Sequence, residues 1–266
     1  MLKIPEAETG LQLLTLSALS RGEKWRTEAM HSHRNHLLLW ITRGQGRLTG
    51  EGMKMGYTAQ NAIFIPSRAM YSIEISNAVY GTALFINPSM GLDLPEETTL
   101  LRINDMSMQA QLATKLDTIQ TEIESSHPDK SDALYFQAGL LAVWINRAQR
   151  QAQQAGPKTS KSIQLIKSYS RLVERHFRSG RSVADYADML DITTTHLTRV
   201  CNQSCGRAAS TLLADRIFFD ARRQLRESRK PVKEIAENLG YRSAAYFSRA
   251  FYNHTGLSPS EFRNNA

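Results

Sequence analysis

Two stretches of this chain, SVADYADMLDITTTHLTRVCNQSCG and PVKEIAENLGYRSAAYFSRAFYNHTG, follow one plan. Ala187 corresponds to Ala236, Asp191 to Gly240 and Ile192 to Tyr241, each pair 49 residues apart. After one inserted residue, Leu197 corresponds to Phe247, Arg199 to Arg249, Cys201 to Phe251 and Gly206 to Gly256, each pair 50 apart. Each copy predicts a short helix, a tight turn and a longer helix, the helix-turn-helix plan. That plan needs a small residue where the helices cross (Ala187, Ala236) and a turn residue that tolerates positive φ (Gly240, and less easily Asp191). The start signals agree. Ser182 with Asp185 forms a capping pair, Pro231 suits the first helical position of the equivalent helix, and Thr193 and Ser243 cap the two longer helices. Phe247 and Phe251, four apart, share one face, Gly256 ends their helix, and Ser258-Pro259-Ser260-Glu261 opens another with a capping box.

Charge is distributed unevenly. From Lys158 to Ala266 there are 19 Lys and Arg against 10 Asp and Glu, a net of +9, whereas residues 1–157 hold 14 against 15. A basic domain facing a polyanion, joined to a domain with another task, fits this division; a solvated basic surface is the alternative. Cys201 and Cys205 are too few for a disulfide framework and, four apart on a helix, read as small buried residues. No run approaches the length of a membrane span, and the N-terminal MLKIPEAETGLQLLTLSAL lacks a basic start followed by an unbroken apolar segment, so a cytoplasmic location is expected.

The first 100 or so residues alternate short runs of Leu, Ile, Phe, Tyr and Trp with Gly, Asn and Pro breaks, the spacing of a small antiparallel barrel or sandwich. Within Tyr71 to Ser76, the residues Tyr71, Ile73 and Ile75 should face inward. Two helices are expected at Asp105–Glu124 and Ser131–Gln153, with apolar faces of Leu112, Leu116, Ile119, Ile123 and of Leu134, Leu141, Trp144, Ile145. This pair can form a dimer interface or pack back on its own barrel. The polar stretch around Gly156-Pro157 reads as a linker. The expected fold class is α+β: a β-barrel region over 1–100, a helical pair over 101–154, a linker at 155–161, and an all-α domain over 162–266 with two helix-turn-helix units joined by a linker helix.

Residues from about 160 to 264 resemble the DNA-binding domain of the AraC/XylS family of bacterial transcription regulators. The resemblance is carried by AAYFSRAFYNHTGLSPSEFR and by the joining segment LLADRIFFDARRQLRES. The N-terminal part is similar, more loosely, to the family's cupin-type effector domain. The resemblance implies that Thr195, His196, Thr198 and Arg199 in the first unit, and Ala245, Tyr246, Ser248 and Arg249 in the second, meet DNA. Arginine bonds guanine O6 and N7 together, Thr and Ser serve several base edges or a phosphate, and an alanine methyl meets a thymine methyl. For Arg199 and Arg249 a phosphate clamp or salt bridge is the competing role; for His196 and Tyr246 it is packing. Arg181, Thr193, Arg207, Arg242 and Ser243 are expected at phosphates. Double-stranded promoter DNA, RNA polymerase, a small-molecule effector and a second copy of the chain are the implied partners; no membrane and no cofactor is implied, nor any enzyme activity.

A small barrel suggests a ligand pocket, with His33, Trp40, Tyr71 and Phe85 as candidate lining residues that are equally at home in a core. Arg34, Arg43 and Arg68 can answer an anionic ligand or simply lie on the surface. His31, His33 and His36 raise the question of a cupin metal. The cupin pattern wants a carboxylate where this chain has Leu37 and Leu38, and Pro-x-Gly-x-x-His where it has Pro66 to Tyr71, so no metal site is expected. The competing readings are a metal-dependent cupin enzyme with a nucleic-acid appendage, and an interaction module whose helical units bind protein.

Overall fold

A computed structural model describes residues 10–20, 22–154 and 160–265. The extreme N-terminus and the Gly156-Pro157 break lie outside the described residues. The front half contains β1 (Leu11–Thr15), α1 (Leu16–Ser20), α2 (Trp25–Glu28), β2 (His36–Arg43), β3 (Gln45–Gly50), β4 (Met53–Thr58), β5 (Asn61–Ile65), β6 (Tyr71–Ile73), β7 (Tyr80–Ile86) and β8 (Thr99–Arg102). Then come α3 (Met106–Glu124) and α4 (Lys130–Gln154). The back half is helical: α5 (Lys161–His176), α6 (Val183–Asp188), α7 (Thr194–Cys205), α8 (Ala209–Glu227), α9 (Val232–Asn238), α10 (Ala244–Thr255) and α11 (Pro259–Asn264).

The strands form two antiparallel sheets, a five-stranded one in the order β1-β7-β2-β5-β8 and a three-stranded one in the order β4-β3-β6. The uninterrupted apolar run of β2 has a physical cause, because its sheet is covered on both faces. Leu37, Leu39 and Ile41 point into an interior shared with Leu48, Tyr57, Tyr71 and Ile73 of the smaller sheet. Leu38 and Trp40 point the other way, into a second core with Leu112, Leu116 and Ile119 of α3 and Leu134, Leu141, Trp144 and Ile145 of α4. The inward faces of the helical pair therefore pack back on the large sheet. Tyr71 and Ile73 face the interior as the alternation requires; β6 ends at Ile73, sooner than expected, although Ile75 still packs against that core.

The two halves are in contact. Glu51 and Gly52 form the two-residue turn between β3 and β4 with φ of 48° and 79°, and a Cβ on Gly52 would lie 2.2 Å from the Ile166 side chain of α5. Met30 and Met70 join the core of the helical half. Acids of the front half meet bases of the back half: Glu97 with Lys167 (2.5 Å), Glu51 with Arg171 (3.5 Å) and Glu23 with Arg226 (3.0 Å). Ser32 Oγ donates to Glu174 (2.7 Å), whose carboxylate also receives Arg216 Nε (2.6 Å). His31 stacks on Phe219 of α8 at 4.6 Å, and Trp25 lies edge-on to Phe219 and Phe262.

Candidate nucleic-acid interface

The duplication seen in the sequence is reproduced bond for bond. In the first unit Ile192 N–H donates to Ala187 O (3.1 Å), and in the second Tyr241 N–H donates to Ala236 O (2.9 Å). Leu190 to Ala187 (3.0 Å) matches Leu239 to Ala236 (3.1 Å), and Asp191 to Asp188 (3.1 Å) matches Gly240 to Glu237 (3.0 Å). These bonds close each turn only with a residue at positive φ, and Asp191 (54°) and Gly240 (81°) supply it. Ala187 and Ala236 are buried where the helices cross.

The caps orient the long helices. Thr193 Oγ1 accepts from His196 N–H (3.2 Å) and Ser243 Oγ from Tyr246 N–H (3.4 Å). Ser182 and Asp185 close a full capping box, and the two hydrogen bonds from Ser182, together with Arg181, hold the Asp185 carboxyl below its usual range. Ser258 and Glu261 form a second box at α11. Pro231 sits one position earlier than expected, as the N-cap of α9. Gly206 and Gly256 end α7 and α10 in the left-handed region.

On α7 the buried face is Leu197, Val200, Cys201 and Cys205, and burial pushes the Cys201 thiol up to about 12, so it stays protonated. The opposite face presents Thr195 and Arg199 exposed, with His196 and Thr198 half-buried. Arg199 Nη2 lies 3.1 Å from His196 Nδ1. On α10, Phe247 and Phe251 are buried while Ala245, Tyr246 and Arg249 are exposed; Ser248 is half-buried and donates its hydroxyl to Ala244 O (2.8 Å). The same faces continue through Asn202 and Gln203 on α7 and Tyr252 and Asn253 on α10, all exposed. No local motif marks these four, although extending the 3.6-residue period from Thr195 and Arg199, or from Ala245 and Arg249, reaches them. Among the flanking residues, Arg181, Arg242, Thr193 and Ser243 are exposed. Arg207 instead pairs with Asp215.

That pair belongs to a set of ties through α8. Asp215, buried on α8, takes Arg207 from just beyond α7 on one oxygen and His254 from the last turn of α10 (3.3 Å) on the other. Asp220, also buried, takes Arg178 (2.9 Å) and Arg223 (2.6 Å). Burial raises its carboxyl, and Arg223, Arg178 and Arg216 outweigh that to hold it below its usual range. The turn of the second unit also touches the loop before the first: a Cβ on Gly240 would lie 2.3 Å from Gly180 N. Both units are thus fixed to one helix and to each other.

Of the four pocket candidates, His33, Tyr71 and Phe85 come together, with ring centroids 5.8 Å and 5.2 Å from His33. Burial, then Arg216 and Arg223, push the His33 imidazole down to about 4. Trp40 lies apart from them, in the core beneath α3 and α4, because it occupies the other parity of β2. Of the three histidines, His36 faces away from His31 and His33: its Nδ1 accepts from Ser67 N–H (3.1 Å) and its ring stacks on Phe64. His31 Nδ1 lies 2.8 Å from Ala29 O, which places the proton on that nitrogen. Among the described residues no group of three His, Cys, Asp or Glu is placed to hold a metal, and no helix is long and apolar enough to cross a membrane.

Residues 186–265 match the family described as a helix-turn-helix domain, from within α6 through both turns and both longer helices to α11. The chain is 24% identical over 246 residues to the HTH-type transcriptional activator RhaR of Escherichia coli (strain K12), covering 90% of this chain and 82% of that protein. These likenesses are to bacterial transcription regulators, in keeping with the resemblance to the AraC/XylS family that the sequence carries. The chain is also similar to the arabinose operon regulatory protein of Salmonella typhimurium, at 30% identity over 92 residues, 35% of this chain and 31% of that one. Among solved structures, ToxT from Vibrio cholerae O395 aligns over 97% of this chain and 98% of its own at 14% identity and a TM-score of 0.43.

Proposed function

We propose that this AraC/XylS protein is a one-component, sequence-specific regulator of transcription that grips promoter DNA with α7 and α10 together and answers a small-molecule effector bound by its front half. The observation that carries this reading is the pair of capped helices with matching exposed faces, both tied to the one linking helix through the carboxylate of Asp215. At about 1.5 Å per residue α8 is about 28 Å long, near the roughly 34 Å repeat of B-DNA, so the two faces suit successive major grooves on one side of a duplex. Thr195, Arg199, Asn202, Ala245, Tyr246 and Arg249 would meet base edges, and Arg181, Arg242, Thr193 and Ser243 phosphates.

The effector would act at His33, Tyr71 and Phe85, one ring away from α8 through the His31–Phe219 stack. A ligand there shifts the protein only if it binds one placement of the halves better than another, and a junction lined by these rings is where such a difference arises. The chain would work in the cytoplasm, beside RNA polymerase, without chemistry of its own; RhaR is named an activator, which supports that placement. Binding to fragments of its genome, titrated against salt, tests the reading. Affinity should fall steeply as salt rises, with a log–log slope proportional to the phosphates neutralised. Absence of binding to any fragment overturns it.

A further inference from the structure

The two recognition helices share a scaffold but not a chemistry. α7 and α10 each run from a capping hydroxyl to a left-handed glycine, so every residue of α7 has a counterpart 50 positions on in α10. Arg199 and Arg249 correspond, as do the amides Gln203 and Asn253. Three other positions change: Ala245 stands in place of Thr195, Tyr246 of His196 and Tyr252 of Asn202. At spacings of four and three, Thr195, Arg199 and Asn202 form one stripe along α7, and Ala245, Arg249 and Tyr252 form the same stripe along α10, with His196 and Tyr246 beside them. The changes therefore fall on the surface offered to DNA.

On α7 that surface is built to exchange hydrogen bonds. Arg199 Nη2 lies 3.1 Å from His196 Nδ1, and because a guanidinium only donates, the imidazole accepts and holds it in one orientation. The remaining N–H groups of Arg199 suit guanine O6 and N7, and the exposed amide of Asn202 suits adenine N6 and N7.

The α10 surface offers no such set. Ala245 has no polar side-chain atom, and Ser248 spends its hydroxyl hydrogen on Ala244 O. Tyr246 and Tyr252 are 65% and 56% exposed. Tyr246 leans on Tyr241 (5.9 Å between ring centroids), which lies edge-on to buried Phe247 (5.3 Å), so the Tyr246 ring is supported from within the unit. A methyl and two rings pressed into the major groove would leave the polar edges of guanine, cytosine or adenine without partners, at a cost, whereas thymine presents a methyl group there.

We propose that the two half-sites of the operator are read by different chemistry: the one under α7 by hydrogen bonds to purine edges, centred on Arg199, and the one under α10 by the C5-methyl groups of thymines, met by Ala245, Tyr246 and Tyr252. This assignment rests on the reading of α7 and α10 as the helices that grip DNA. His196 is a positioning residue for Arg199, and Tyr241 is one for Tyr246.

Fluorescence anisotropy of the full chain on duplexes carrying one of its genomic binding sites tests this. Replacing each thymine in turn by deoxyuridine removes a single methyl group; it should cost about fourfold at one or more positions of one half-site and no more than about twofold in the other. Replacing each purine by its 7-deaza counterpart removes the N7 acceptor and should cost about tenfold in that other half-site. The triple variant Ala245→Thr/Tyr246→His/Tyr252→Asn, whose changes are all exposed, should lose the uridine penalty and keep the deaza penalty, and Arg199→Ala should do the reverse. Tyr246→Phe together with Tyr252→Phe should keep both the affinity and the uridine penalty, because the ring and not the hydroxyl meets the base; loss of either overturns the proposal. Indifference to uridine throughout the site overturns it and leaves the DNA-binding reading standing. So does a uridine penalty that persists in the triple variant, since its origin would then be the shape of the DNA. Failure of the wild-type chain to bind any genomic fragment overturns both.

Discussion

Substituting Gly240 by alanine should separate two effects that usually arrive together. Gly240 sits in the turn between α9 and α10 at φ 81°, and an added Cβ would lie 2.3 Å from Gly180 N and 2.6 Å from Arg178 O. Holding alanine in the left-handed region costs about 1–2 kcal/mol. Forcing a methyl into backbone atoms, which have no rotamer to move aside, adds about 1–3 kcal/mol. The sum is about 2–5 kcal/mol. Gly256→Ala is the control, since Gly256 has φ 77° but an added Cβ meets nothing within 4 Å, so that substitution carries the backbone part alone. Urea unfolding of the full chain, followed by far-ultraviolet circular dichroism, should therefore place Gly240→Ala about 1–3 kcal/mol below Gly256→Ala. Because the clash drives the second turn away from the loop that precedes the first unit, Gly240→Ala should also lose DNA affinity under conditions where it is fully folded. Equal stability of the two variants would refute the contact between Gly180 and Gly240, and with it one of the ties that fix the spacing of α7 and α10.

Arg249→Ala should cost about 1–3 kcal/mol at one base pair of the operator and relax specificity there, whereas Arg242→Ala should weaken all sequences alike and reduce the salt slope by about 1, as read from binding to a set of single-base operator variants. Asp215→Ala leaves Arg207 and His254 facing no carboxylate, and with Arg207 29% exposed the loss should be about 2–3 kcal/mol by urea unfolding, below the range for a fully buried pair. His33, at about 4 in the folded chain against about 6.5 when unfolded, takes up its proton later in the folded state as pH falls. Its contribution is intact above pH 6.5 and is lost as pH falls toward 4, with a slope near 1.4 kcal/mol per pH unit, and thermal unfolding of His33→Gln across that window should show a shallower decline than wild type.

What the sequence disclosed follows the range of the forces involved. The helix-turn-helix units were legible because their determinants are local: a small residue, a positive φ and a capping oxygen lie within a few residues of what they control. Even there, Pro231 shows a limit, since a fixed φ and a missing N–H suit the N-cap and the first helical position alike. β2 reads as one apolar run, so Trp40 reads as a lining residue like His33, Tyr71 and Phe85, and only the packing of α3 and α4 on its outer face reveals that its two parities serve different cores. The junction between the halves was not legible at all, since Glu23 and Arg226 lie far apart in sequence and carry no local signal. That omission alters the meaning of the basic excess. Lys167, Arg171 and Arg226 are engaged by Glu97, Glu51 and Glu23 of the front half, so three of the nine net positive charges are answered across the junction, and only part of the remainder lies at the two recognition helices. The exposed arginines on and beside them are Arg181, Arg199, Arg242 and Arg249. At about 0.9 per phosphate, four such contacts give a log–log salt slope near −4 per chain, where the whole excess would give about −8. A slope near −6 would mean that the three bases held across the junction are released to phosphates when DNA binds.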